Sequence, residues 1–237
     1  MNHSHCAAAP RPSACPGLLR IVAARDGGIC RIKLPGGRLS AAQARAIADA
    51  AEACAGGVLE ATNRANLQIR GVRAGRESEL IERLLAAGLG AGSAGGDDVR
   101  NLMLSPAAGH DPQALLDTRP LAAELLARLE GESRWHALSP KFAIQLDGGE
   151  ALAMLAHPHD LWLAALADAD GPRYAFGLAG CPPQHAGDEP ALASIPAAQA
   201  GELVFALLAL FLDRAGAEQT RMRHLLQNLP APAKPFN

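Results

Sequence analysis

Aromatic residues are scarce in this chain and make up only 3% of its 237 residues. The hydrophobic 49% is therefore mainly alanine and leucine, a composition that suits helices packed on a sheet. Positive charge is not in excess either, because the formal net charge is −2. This balance gives no overall reason to expect a nucleic-acid partner, so any basic binding site has to be local.

Cysteine motifs and long apolar runs are also absent. The cysteines form no C-x2-C or C-x5-C pair, which excludes a zinc or iron–sulfur site encoded by local spacing; they are Cys6, Cys15, Cys30, Cys54 and Cys181. The N-terminus lacks the apolar core of a signal peptide. The longest uncharged apolar run, 203–212, is too short to span a bilayer. These absences predict a reduced, cytoplasmic protein without a membrane segment.

Helix and strand patterns alternate along the first third of the chain. Ser40 and Gln43 form a capping-box pattern at the start of an alanine-rich helix at 41–54. Leucine and isoleucine spaced for one buried face predict a second helix at about 77–87. Alternating residues predict strands at 29–34, 58–62 and 66–72. The order strand, helix, strand, strand, helix is most of a ferredoxin-like split β-α-β unit.

The strand at 66–72 carries a polar face. Leu67 and Ile69 are predicted to face the core, and the other face carries Asn66, Gln68 and Arg70. Amide and guanidinium groups there could hold a large anion, because arginine meets carboxylates with two parallel hydrogen bonds. Alternation alone favours an ordinary solvated strand face, so the binding interpretation needs support from elsewhere in the chain.

A glycine-rich stretch at 88–98 separates this region from the rest of the sequence. It has no phosphate-loop pattern and is predicted to be a flexible linker. We therefore divide the chain into a mobile N-terminal tail at 1–17, a half-domain at 18–88 and a second domain at 97–229.

The second domain mixes strand and helix patterns. A helix at about 113–129 is predicted to bend at Pro120, and a helix at 197–214 is apolar on nearly all sides and hence buried. A shorter amphipathic helix follows at 218–227. Strands are predicted at 99–106, 139–149, 161–167 and 173–178.

Four separated stretches occur in a diagnostic order: CRIKLPGGRLSAAQ, TNRANLQIRGV, DVRNLMLSP and SPKFAIQLDGG. Together they resemble the first half of the nitrite/sulfite reductase superfamily, over nearly the whole chain. Within it, SACPGL and DLWLAAL make the chain most similar to the precorrin-3B synthases. The resemblance implies an α+β fold in which a ferredoxin-like half-domain is followed by a nitrite/sulfite reductase-type α/β domain.

The resemblance also implies a site for a tetrapyrrole and its anionic groups. It assigns binding to Arg64, Arg100 and Lys141, with Asn66, Gln68 and Arg70 on the neighbouring strand face. Where reductases place a second lysine, this chain has Ala143. The missing cation disfavours sulfite or nitrite and fits a tetrapyrrole that is itself the substrate. The resemblance gives no catalytic residue.

The complete family enzyme is expected to use a [4Fe–4S] cluster and iron. The four cluster cysteines of the family belong to a second repeat, which this sequence lacks, so no metal ligand is predicted here. His157, His159 and Asp160 form the only His/Asp cluster that suggests iron ligation. A capped loop before the strand at 161–167 is the preferred interpretation of that cluster.

The expected function is O2-dependent hydroxylation and lactone formation on precorrin-3A in aerobic cobalamin biosynthesis, an oxidoreductase reaction. This chain would supply the basic tetrapyrrole-binding half, and a second repeat in trans or self-association would complete the enzyme. The alternatives are a sulfite- or nitrite-reductase half and a non-enzymatic, degenerate tetrapyrrole-binding module. Neither nucleic acid nor membrane is an expected partner.

Overall fold

The structure is a computed structural model that describes residues 15–153, 155–169 and 171–228. Its first half is a four-stranded antiparallel sheet in the order β1-β2-β4-β3, with two helices packed against it. These elements are β1 (Val22–Ala24), β2 (Gly27–Ile32), α1 (Ala41–Cys54), β3 (Val58–Ala61), β4 (Leu67–Val72) and α2 (Glu77–Ala86). The predicted ferredoxin-like order is confirmed, and the short strand β1 is added to it.

Helix α1 begins where the capping box predicts. The Gln43 backbone N–H donates to Ser40 Oγ at 3.1 Å, and the Ser40 N–H donates to Gln43 Oε1 at 3.1 Å. Both bonds satisfy donors that have no partner within the helix. The inward face of α1 buries Ile47 and Cys54 against the sheet.

Strand β4 keeps its apolar face inward through a bulge. Ile69 and Val72 are both buried, although strict alternation would put residues three positions apart on opposite faces. The pairing with β2 shifts register between Gly28 and Cys30, opposite this point. Gly71 has a φ of +71°, which only glycine adopts without strain. The bulge therefore returns Val72 to the core.

The second half is a five-stranded mixed sheet in the order β5-β6-β7-β8-β9. Strands β5, β6 and β7 are parallel, and β8 and β9 are antiparallel to their neighbours. Helices α4, α5 and α6 cover one face around Leu125, Leu161 and Leu208. The elements are α3 (Ala94–Asp98), β5 (Leu102–Leu104), α4 (Arg119–Gly131), β6 (Ile144–Asp147), β7 (His159–Leu166), β8 (Arg173–Gly180), β9 (Ala193–Pro196), α5 (Ala200–Arg214) and α6 (Met222–Gln227).

The predicted flexible linker at 88–98 is wrong. Leu89 is 1% exposed and sits in the first core, and α3 forms at the end of the stretch. Asp97 accepts a hydrogen bond from the Leu18 N–H at 3.0 Å, and Asp98 pairs with Arg20. These side chains tie the stretch to the N-terminal segment, so glycine content alone misled the prediction. Gly17 is also buried, whereas residues 1–14 of the predicted tail lie outside the described part of the chain.

The sequence predicted a helix bent at Pro120, but Pro120 bends no helix in the structure. It lies in the first turn of α4, where a missing backbone N–H breaks no helical hydrogen bond. Residues 113–118 precede the helix instead of belonging to it. Within the described residues, no helix is long and apolar enough to cross a membrane.

Candidate functional site

Three parallel strands place basic residues at one edge of the five-stranded sheet. Arg100 lies two residues before β5, Lys141 three before β6 and His157 two before β7. Because β5, β6 and β7 run in the same direction, their amino ends lie along the same edge. Topology therefore brings together residues that are far apart in the sequence.

Arg64 reaches this edge from the first sheet. It lies in the turn between β3 and β4, where Thr62 Oγ1 accepts hydrogen bonds from the N–H groups of Arg64 (3.3 Å) and Asn66 (3.2 Å). Ala65, in the same turn, has a φ of +54°. The turn places Arg64 on a narrow crevice between the two halves, lined by Arg64, Asn66, Arg100, Asn101, Leu102, Met103 and Ala143.

The Arg64 guanidinium is half-buried, and among the described residues it forms no ion pair. Burial first, and then the charge of Arg221, lowers the pKa of Arg64 from its ordinary value. Asp160 opposes this effect, and Arg31 adds to it. An arginine remains cationic under such conditions, so the crevice holds an uncompensated positive charge.

Arg100 shares the crevice, but its charge is compensated. It is 9% exposed, and its Nη1 donates to Glu130 Oε1 at 2.7 Å. Burial raises the pKa of Glu130, and the charge of Arg100 opposes that rise. The Arg100 Nε is buried without a hydrogen-bond partner among the described residues.

Lys141 lies at the same edge, but it is exposed and does not line the crevice. Ala143, two residues later, does line it and is 4% exposed. The structure thus brings Arg64 and Arg100 together and leaves Lys141 at the rim. The position that carries the second lysine in reductases faces the crevice here with a methyl group.

The polar face of β4 serves the fold more than a ligand. Asn66 is buried and accepts the Leu34 N–H at 3.0 Å. Gln68 accepts a hydrogen bond from Arg31 at 3.3 Å. The Asn66 oxygen is thus engaged by a backbone N–H group and the Gln68 oxygen by the Arg31 side chain, although Asn66 also lines the crevice.

Arg70 is paired with two carboxylates. Its guanidinium donates to Asp26 at 2.9 and 3.0 Å, and Glu60 lies 3.5 Å away. The hydrogen bond from Arg70 lowers the pKa of Asp26. Asp26 lies in the turn before β2, which alternation within β4 cannot reveal.

Sequence reasoning missed Arg221 and the role of Asp160. Asp160 is 1% exposed and accepts hydrogen bonds from Arg221 Nε at 2.8 and 2.9 Å. It also accepts the N–H groups of Met222 at 2.8 Å and Ala143 at 2.9 Å. One buried carboxylate therefore joins β6, β7 and α6 beside the crevice. Nothing in the local sequence around Arg221 signals this contact.

His157 and His159 lie beside the same cations. Their rings are 5.2 Å apart in an edge-on arrangement. Burial lowers the pKa of both, to about 4 for His159, and Arg64 and Arg221 lower both further. Neither ring nitrogen of His159 makes a hydrogen bond of ordinary geometry.

Two of the described cysteines are poorly suited to ligate an iron–sulfur cluster. Cys30 and Cys54 are fully buried in the first core, and burial raises the pKa of Cys30 to about 12, which disfavours a thiolate ligand. No group of three His, Cys, Asp or Glu side chains in residues 15–153, 155–169 and 171–228 is arranged to hold a metal ion. Asp160 is already occupied by Arg221, so the His/Asp cluster is not an iron site here.

Two family models match the chain. The nitrite and sulphite reductase 4Fe-4S domain matches residues 95–231, and the nitrite/sulfite reductase ferredoxin-like half domain matches residues 22–87. Structure comparison agrees on the fold: the Mycobacterium tuberculosis NirA protein superposes with a TM-score of 0.66 at 22% identity, over 84% of this chain and 37% of that chain. The expected α+β fold, with the ferredoxin-like half first, is confirmed.

Sequence relatives carry two different names. Precorrin-3B synthase from Sinorhizobium sp is 29% identical over 222 residues, which are 91% of this chain and 44% of that protein. The chloroplastic ferredoxin–nitrite reductase of Arabidopsis thaliana is 32% identical over 212 residues, or 84% and 36%. The chain spans less than half the length of these relatives. The expected resemblance is confirmed, and the chain belongs to the nitrite and sulphite reductase family.

Proposed function

We propose that this chain is the basic, tetrapyrrole-binding half of an oxidoreductase like precorrin-3B synthase. The reaction is O2-dependent hydroxylation and lactone formation on precorrin-3A in aerobic cobalamin biosynthesis. The observation that carries the proposal is the uncompensated Arg64 guanidinium on a crevice shared with Arg100. The similarity to precorrin-3B synthase over 91% of the chain supports it.

The charge of the crevice suits this substrate class. Precorrins are flat and carry many carboxylates, so a binding wall needs spaced cations and few acids. Arg64 provides one such cation without an ion-pair partner among the described residues, whereas the charge of Arg221 is compensated by Asp160. A charge-assisted hydrogen bond to a carboxylate contributes about 1.5–3 kcal/mol where it is partly desolvated.

A second repeat, in trans or from a second copy of the chain, completes the enzyme in this proposal. The relatives that match are more than twice as long as the matched region. The [4Fe–4S] cluster and iron of the family belong to that completed enzyme, and no step of the reaction passes through a cluster held by the described cysteines. In this chain, Arg64, Arg100 and Lys141 bind and orient the carboxylates.

A nitrite- or sulfite-reductase half is the second candidate, because nitrite reductases are also relatives at 32–36% identity. Ala143 argues against it, since its methyl group lines the crevice where a small anion would need a cation. A degenerate tetrapyrrole-binding module shares the binding site but not the turnover. Co-expression with a chain that supplies the second repeat separates the proposed synthase from the degenerate module, because only the enzyme then gains O2-dependent turnover of precorrin-3A.

Binding of uroporphyrin, a porphyrin with acetate and propionate side chains, tests the site directly. Arg64→Ala should weaken binding by about tenfold to a hundredfold, the equivalent of one lost charge-assisted contact. Arg45→Ala is the matched control, because Arg45 is exposed on the outer face of α1. Arg73 is a poorer control, since it donates to three carbonyl groups at the end of that helix. Equal affinity for both variants and the wild type would refute the site.

A further inference from the structure

The proposed function assigns no role to the two histidines at the amino end of β7. His157 is half-buried and His159 is 2% exposed. The sequence pattern predicts only a capped loop before a strand for both. The structure instead places them beside the basic crevice, in line with Arg100 and Lys141 along the sheet edge.

His159 is an exception to a strong rule. Most buried side-chain polar atoms have a hydrogen-bond partner, yet neither ring nitrogen of His159 makes a bond of ordinary geometry, and only the backbone of His157 interacts with the ring in this way among the described residues. Its ring packs edge-on against His157 at 5.2 Å. Ring nitrogens that are poorly hydrogen-bonded at this depth disfavour the folded state.

The charges that face His157 come from two other elements, and both are positive. Arg64 approaches from the turn before β4, and Arg221 from the start of α6. His159 is the third titratable neighbour of His157, and its buried ring contacts the His157 ring edge-on. Asp160 lies nearby on β7, where it pairs with Arg221. Burial first, and then Arg64 and Arg221, lowers the pKa of His157 from its ordinary value, so the ring is neutral at pH 7 when no ligand is bound.

We propose that His157 is a protonatable contact for the anionic ligand of this crevice, and that the ligand binds together with one proton taken up by His157. The inference rests on the proposed function and adds a binding residue to its site. The proton comes from solvent and adds to a free ring nitrogen, so no other bond forms or breaks. A carboxylate held between Arg64 and His157 would attract both the guanidinium and the protonated ring, while Arg221 keeps its pairing with Asp160. His159 is a positioning residue, because its ring fixes the ring of His157.

Linked protonation has a measurable signature. Between the pKa of His157 in the free protein and its higher pKa in the complex, affinity should rise by up to about tenfold for each pH unit of acidification. Above both pKa values the affinity should not depend on His157. The same linkage requires that the ligand raise the pKa of His157 in return.

The experiment follows the histidine ring signals of the full chain by NMR between pH 5 and 8.5. The spectra are recorded at low ionic strength without a ligand, with uroporphyrin and with sodium sulfate. Uroporphyrin affinity is measured over the same range for the wild type, His157→Gln and His110→Gln. His110 is exposed in the loop after β5 and serves as the control. We expect both probes to raise the pKa of His157, and the affinity of His157→Gln to lose its rise at low pH.

The outcomes separate the inference from the proposed function. If uroporphyrin binds but the pKa of His157 does not rise, the inference is wrong and the proposed function stands. If sulfate raises that pKa while uroporphyrin does not bind, the proposed function is wrong and the inference stands. Binding of neither probe refutes both. The wild-type NMR measurement decides the question even if His157→Gln fails to fold, and His159→Leu should reduce the ligand-induced pKa rise of His157.

Discussion

Asp160 and Arg221 form a buried ion pair although 61 positions separate them in the sequence. The Asp160 carboxylate also accepts two backbone N–H groups, from Ala143 and Met222. This carboxylate therefore fixes the crevice wall and the start of α6 at once. Because the oxygens of Asp160 are already engaged, this carboxylate forms no ion pair with Arg64.

Replacing Asp160 by asparagine should destabilise the fold strongly. The change leaves the Arg221 guanidinium buried without a counter-charge, and breaking a buried pair costs about 3–5 kcal/mol. The free energy of unfolding from urea titration measures the loss. Asp213→Asn is the control, because Asp213 pairs with Arg134 on the surface, where both side chains are more than half exposed. That variant should lose less than about 1 kcal/mol. Similar losses for the two variants would contradict the structural role of Asp160.

His159 should make the protein less stable as the pH falls. Its pKa in the folded protein is about 4, below the ordinary 6.5, so the unfolded chain binds the proton more readily between those values. The stability therefore decreases on acidification from pH 6.5 towards pH 4. His159→Leu removes this contribution, and its unfolding free energy should fall less over the same range. Parallel pH profiles for the wild type and this variant would refute the assignment.

The sequence predicted local elements well and their side-chain partners poorly. The capping box of Ser40 and the helix at 41–54 depend on neighbouring residues, and both are confirmed. The contacts of Arg70 with Asp26 and of Asp160 with Arg221 join positions 44 and 61 residues apart. Such partners depend on how strands pair and how helices close on the sheet, which a local pattern does not contain. The site motifs carried Arg64 and Arg100, whereas Arg221 had no motif.

Lys33 should change the stability in the same direction as His159, but at alkaline pH. Burial lowers the pKa of Lys33 to about 8, and its ammonium donates to the Asp98 carbonyl at 2.6 Å. Between pH 8 and 10.5 the unfolded chain holds more protons at this position, so folding becomes more favourable as the pH rises. Over that range the wild type should gain stability relative to Lys33→Met. The raised pKa of Cys30 makes stability fall as the pH rises. This contribution is the same in both proteins, so the comparison between them removes it.

Ala143→Lys should convert the crevice into a better site for a small anion. The new ammonium would join Arg64 and Arg100 on the crevice wall, which strengthens attraction for sulfite at low ionic strength. The buried position also predicts a loss of about 1–3 kcal/mol in stability from overpacking. Calorimetric titration with sulfite at low and high salt measures the effect, and Ala42→Lys on the exposed face of α1 is the control. Unchanged sulfite affinity in Ala143→Lys would show that the crevice does not accept anions.

Strand β3 should mediate self-association of the chain. It is the edge strand of the first sheet, all four of its residues are exposed, and Val58 and Leu59 are 53% and 41% exposed. An apolar edge strand with unpaired backbone groups favours pairing with another strand. Sedimentation velocity should show reversible association of the wild type, and the double change Val58→Lys and Leu59→Lys should weaken it at least about tenfold by charge repulsion across the edge. Leu152→Lys is the control, since Leu152 is 65% exposed in the loop before β7. A wild type that stays monomeric at high concentration, or equal association of all three proteins, would exclude β3 as the contact.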